Sequence, residues 1–164
     1  MIRLSIALVL VLLSSTAGAH RFSTSFIEVA SGHDHPNEFD WSWRVVEHDL
    51  AVLAPFLVDA EQRLLSAELL VAQQPQFDAF MRSRLAFNDG CTLEVLPLVH
   101  AERSVYGGQD YIMLHGHGGC PLDQLKSVQI NDIFSQITDH KLIIEGVGSK
   151  AVVLSAQQPR WVAP

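Results

Sequence analysis

Apolar and polar residues alternate along two early stretches of the chain. In residues 20–30, Phe22, Thr24 and Phe26 fall on one parity and Ile27 and Val29 on the other, a strand buried on at least one face. In residues 39–45, Phe39, Trp41, Trp43 and Val45 alternate with Asp40, Ser42 and Arg44, a second strand with one aromatic face. The turn formers of residues 31–37 lie between them, so the two strands are expected to pair.

Beyond His48 the period changes. Leu50, Leu53, Leu57, Leu64, Leu65, Leu69 and Leu70, set among Ala, Gln, Glu and Arg, predict a helical insertion over residues 49–84. Pro55 and Pro75 are expected to split it into two or three short helices. After residue 85 the strand pattern returns. Asn88-Asp89-Gly90 reads as a hairpin turn, and residues 92–103, 109–117, 126–131, 141–146 and 151–154 read as strands. The order implies an α+β fold, a mainly antiparallel β-sandwich-like domain with a short helical insertion.

Composition changes the picture at the front. A mean hydropathy of +0.19 with only 18% charged residues is apolar for a water-exposed domain. Residues 1–19 account for much of the excess: Arg3, an apolar run over residues 4–13, then Ala17-Gly18-Ala19, the pattern of a secretory signal peptide. That run is half of the ~20 residues a membrane span needs. Cleavage after Ala19 would leave one periplasmic or secreted domain, residues 20–164, beginning at His20. Its charge, −7 for the whole chain and −8 without Arg3, disfavours nucleic acid as a partner.

An exported chain with two cysteines, Cys91 and Cys120, is read as carrying one disulfide, because no Cys-x-x-Cys points to redox or metal chemistry. Eight histidines are many for this length. His20 would become the N-terminal residue, where amine and imidazole Nδ1 together chelate one ion. His115 and His117 at i and i+2 of a strand face the same way about 7 Å apart, and His33 and His35 offer a similar pair in the turn. Imidazole and amine nitrogen suit Cu(II), Ni(II) and Zn(II). The competing reading is plain: histidines beside Gly, Asp and Pro are ordinarily solvated, as Asp59, Glu61 and Glu68 would be on the outer face of a helix.

Catalytic signatures do not stand out. There is no nucleophile elbow, zinc-protease helix or phosphate-cradling loop. Glu47-His48-Asp49 sets acid beside imidazole, but neighbours on a strand point apart. A non-enzymatic role is expected.

Ala19-His20-Arg21-Phe22, Trp41, Asp49-Leu50, Asn88-Asp89-Gly90-Cys91, Cys120-Pro121, Asp139-His140 and residues 154–161, in this order, resemble the extracytoplasmic N-terminal region of HupE/UreJ-type membrane proteins. The resemblance implies a periplasmic domain associated with nickel or cobalt handling, an inner-membrane protein partner, and the paired cysteines. No membrane segment follows before Pro164, so transport itself is not carried over. Some relatives place a calcium-type loop in the helical middle. Here residues 59–68 contain Arg63 and no glycine, and calcium is not expected. The leading expectation is therefore an exported accessory domain that handles a transition metal with a membrane partner. The alternative is a structural protein-interaction module with incidental histidines.

Overall fold

A computed structural model describes residues 23–33 and 35–164; the segment expected to be a signal peptide and His20 lie outside them. The chain folds as β1 (Thr24–Ser31), β2 (Phe39–Val46), α1 (Glu47–Leu53), a 3₁₀ turn (Pro55–Leu57), α2 (Ala67–Arg84), β3 (Leu85–Phe87), β4 (Leu93–Val95), β5 (Glu102–Tyr106), β6 (Gln109–Gly118), β7 (Ser127–Ile130), α3 (Ile133–Gln136), β8 (Lys141–Glu145), β9 (Val152–Leu154) and β10 (Arg160–Val162). Seven strands form one sheet in the order β4-β6-β2-β1-β8-β9, with β5 continuing the β4 edge of β6. Three form a second, β10-β7-β3. This is the expected α+β, mostly β architecture.

The period-2 pattern of β2 decides which face is inside. Phe39, Trp41, Trp43 and Val45 are at most 2% exposed, while Asp40, Ser42 and Arg44 form the opposite face. Burying such side chains stabilises by roughly 1.5–3 kcal/mol each, so register is pinned along the whole strand. β2 pairs antiparallel with both β1 and β6, as the intervening turn predicted for β1. Not every pairing is antiparallel: β1 lies parallel to β8.

Four local expectations are corrected. Pro75 does not break α2, which runs 18 residues and buries Leu70, Phe77 and Met81 in one stripe. Pro75 and Val71 are both on the exposed side, where water can satisfy the carbonyl that the proline leaves free. Leu64 and Leu65 are not helical; Leu64 bridges back to Val58 around a tight turn. The Asn88-Asp89-Gly90 turn is no hairpin, because β3 pairs with β7 in the small sheet and β4 with β6 in the large one. Asn88 accepts from the Lys126 and Ser127 amides there, so the turn carries the chain between sheets. Residues 92–103 are not one strand either: Pro97 lacks a ladder donor, and a 3₁₀ turn at Leu98–His100 separates β4 from β5.

Cys91 and Cys120 form the expected disulfide, with Cα atoms 4.9 Å apart, and it ties the start of β4 to the end of β6. No helix among the described residues is long and apolar enough to cross a membrane.

Candidate functional site

The sequence His115-Gly116-His117-Gly118 near the end of β6 explains its own placement. A Cβ on Gly116 would collide with the Trp41 ring, and one on Gly118 with the Phe39 ring. The aromatic residues of β2 pack close against the β6 backbone, so the glycines take the core side and both histidines project from the outer face. Trp41 Nε1 donates to the His117 carbonyl at 3.2 Å and fixes the strand further.

Register then surrounds His117 with acids. Asp40 of β2 and Glu94 of β4 stand directly opposite it on either side, and directly opposed residues share a face. His117 Nδ1 lies 2.8 Å from Asp40 Oδ1, with the side chains 27% and 42% exposed. His35, exposed in the β1–β2 turn, brings its ring to within 6.2 Å of the His117 ring. Two of the histidines singled out by sequence, 82 positions apart in the chain, thus converge. His33 is exposed and enters none of these hydrogen bonds or ring contacts. His115 faces Ser42 across the sheet, and its Nε2 is enclosed without a hydrogen-bond partner among the described residues. Among the described residues no three histidine, cysteine or carboxylate side chains are gathered as a ready-made metal cage.

A second cluster escaped the sequence reading. Ser23, Ser25, Asp49 and His140 are all at most 4% exposed, and they meet where β1 begins, α1 starts and β8 is about to form. The Ser23 hydroxyl donates to Asp49 Oδ2 at 2.5 Å and also contacts His140 Nδ1. Ser25 Oγ lies 2.8 Å from His140 Nε2. One proton assignment satisfies every group: Nδ1–H to Ser23, Ser23 to the carboxylate, and the Ser25 hydroxyl to Nε2. The order of hydroxyl, imidazole and carboxylate is that of a nucleophile, its base and an orienting acid. Yet Ser25 is fully buried, so its hydroxyl meets solvent nowhere in this conformation. The arrangement works as an internal clamp.

The signal for this cluster was in β1. Ser23 and Ser25 share parity with the buried Ile27 and Val29, and an inward hydroxyl on a core strand needs a buried partner.

Glu47-His48-Asp49 also differs from expectation. These residues are the first turn of α1, not a strand, and His48 Nε2 reaches Asp49 Oδ1 at 3.0 Å. Burial pushes the Asp49 carboxyl up, but the hydrogen-bond network of His140 and Ser23, with the His48 imidazole alongside, outweighs it and holds it below the ordinary carboxylate range. His48 itself borders a polar cavity of about 270 Å³ lined also by Glu47, Glu61, Arg63 and Asp110. Asp59 and Glu61, expected on the outer face of a helix, lie instead in a turn whose cation is built in. Arg63 bonds Asp59 Oδ2 through Nε at 3.1 Å and Nη2 at 2.9 Å, and reaches Glu61 at 3.3 Å. Hydrogen bonds from the Arg63 amide and side chain lower the Asp59 carboxyl.

No protein-family model matches this chain, and no curated protein matches it in sequence.

Proposed function

We propose that this chain is an exported, non-enzymatic accessory domain that takes up a transition-metal ion on the open face of its large sheet and presents it to an inner-membrane protein partner. The observation that carries the reading is the Asp40–His117–His35 arrangement. A metal-binding histidine characteristically gives one ring nitrogen to a carboxylate and leaves the other for the ion. His117 does so: Nδ1 faces Asp40, and Nε2 has no hydrogen-bond partner among the described residues. Two imidazoles on one ion with metal–nitrogen bonds of 2.0–2.1 Å have ring centres roughly 5–6 Å apart. His35 at 6.2 Å is exposed, so a small side-chain rotation would bring it in. Glu94, exposed and opposite His117, offers a further oxygen.

The resemblance to HupE/UreJ-type extracytoplasmic regions supports the metal and the membrane partner, and the disulfide fits an oxidising compartment. Isothermal titration of the processed protein with Zn(II), Ni(II) and Cu(II) tests it. The reading expects binding tighter than about 10 μM that His117→Ala or His35→Ala weakens at least tenfold. Absent binding, or binding untouched by both substitutions, would contradict it. His20→Ala and His115→Ala separate an N-terminal chelate and the neighbouring imidazole from the sheet-face site.

A further inference from the structure

Arg44 stands apart from the other described arginines. Arg63, Arg84 and Arg103 hold carboxylates, while Arg82 and Arg160 hold a carbonyl and a hydroxyl. Arg44 makes no hydrogen bond or ion pair among the described residues, and its Nε is enclosed without a partner. Its terminal nitrogens hold no hydrogen bond among the described residues either, and they are not among the enclosed polar atoms.

The side chain is nevertheless seated against aromatic rings. Phe26, Tyr106 and Tyr111 form a triangle with ring centres 6.2–6.4 Å apart, each pair edge to face. The guanidinium lies 4.8 Å from the Phe26 centroid and 5.5 Å from that of Tyr106. Cation–π stacking orients a guanidinium without using up its N–H donors. Strand register sets Phe26, Arg44 and Met113 side by side across the outer face, continued through Ile143 to Val153. Tyr106 at the β5 tip, on the same face, is 60% exposed. Arginine, tyrosine, phenylalanine and methionine together are the composition of an interface centre.

We propose that Arg44 is a docking point for a carboxylate side chain of a protein partner, with apolar residues of that partner covering Phe26 and Tyr106. Charge complementarity fixes the class of ligand: an oriented guanidinium with open donors pairs best with a planar carboxylate, which accepts two parallel N–H bonds. A membrane surface is the poorer fit. The chain carries a net charge of −7, and Glu28, Glu94 and Glu145 are exposed on this same face, so a field of lipid phosphates is repelled many times over, whereas a single carboxylate is repelled once and paired directly by the guanidinium. The inference does not depend on metal binding.

The test follows the Arg44 Nε–H signal in nitrogen-15 spectra of the processed protein, assigned with Arg44→Lys. Titration with acetyl-Ile-Glu-Phe-amide is expected to move this signal saturably, at least tenfold more tightly than acetyl-Ile-Gln-Phe-amide, and in Arg44→Gln the backbone amide signals of Phe26 and Tyr106 are expected to respond equally to the two peptides. An unmoved signal, or equal response to the two peptides, would overturn the proposal. So would a response to phosphatidylglycerol vesicles with none to the acidic peptide. Because the main readout uses the unmodified protein, a variant that fails to fold leaves the test intact.

Discussion

Two histidine clusters in this fold use the same chemistry to opposite ends. Around His140, both ring nitrogens and both serine hydroxyls are bonded within a buried cluster; around His117, one nitrogen is oriented by Asp40 and the other has no hydrogen-bond partner among the described residues. A buried network with all its bonds made holds elements together, and its removal leaves uncompensated polar groups in a low-dielectric interior. A half-exposed pair contributes little to folding, because water competes for each bond. What distinguishes clamp from candidate site is therefore the presence of an unspent donor or acceptor within reach of solvent, not the residue types. His140 joins three segments distant in sequence, whereas His117 only decorates a sheet already fixed by Trp41 and Phe39.

The largest expected effect falls on the clamp. His140→Ala or Asp49→Ala should destabilise the fold by about 3 kcal/mol or more in urea unfolding, while His117→Ala should change it by less than about 1 kcal/mol. Equal losses at the two places would erase the distinction. Next comes the disulfide: reducing Cys91–Cys120 should cost roughly 3–4 kcal/mol on the chain-entropy account, read as a shift of the urea midpoint on adding reductant. Removing only the terminal bond of the clamp, with Ser25→Ala, should cost about 1–2 kcal/mol, since Nε2 then lacks its partner.

A smaller effect is expected in acid. The folded Asp49 carboxyl sits below its unfolded value, so the folded state binds fewer protons near that range. Its stabilising contribution is complete above the unfolded value near pH 3.9 and is lost as pH falls through the lower folded value. Asp49→Asn should flatten the fall in stability below pH 4, measured by urea unfolding at stepped pH. An unchanged slope would mean the carboxylate is not held by the clamp.

The same contrast explains how much was legible beforehand. The alternation of Phe39, Trp41, Trp43 and Val45 specified β2, its buried face and hence the outward direction of Asp40 and Arg44, because a period of two admits one inward set. That His115 and His117 share a face followed from their own i, i+2 spacing, but that the face is the outer one comes from Gly116 and Gly118, whose place against the tryptophan and phenylalanine rings only glycine fits. Tertiary choices were not legible. Pro75 survives inside α2 because of which side of the helix is wet, and residues 88–90 join two sheets because β3 and β4 find different partners. The convergence of His35 with His117 depends on register between distant strands. His140 was invisible for the reverse reason: alone before an ordinary strand it has no local pattern, and only the inward parity of Ser23 and Ser25 betrayed a buried polar partner.

The central claim is that the open cluster receives the ligand and the buried one does not. Imidazole nitrogen-15 spectra of the processed protein, recorded while Zn(II) is added, address it directly. The account predicts that His117 and His35 signals shift together and saturate near one equivalent while His140 stays where it was. Movement of His140 before His117, or no imidazole shift at all at millimolar zinc, would contradict it.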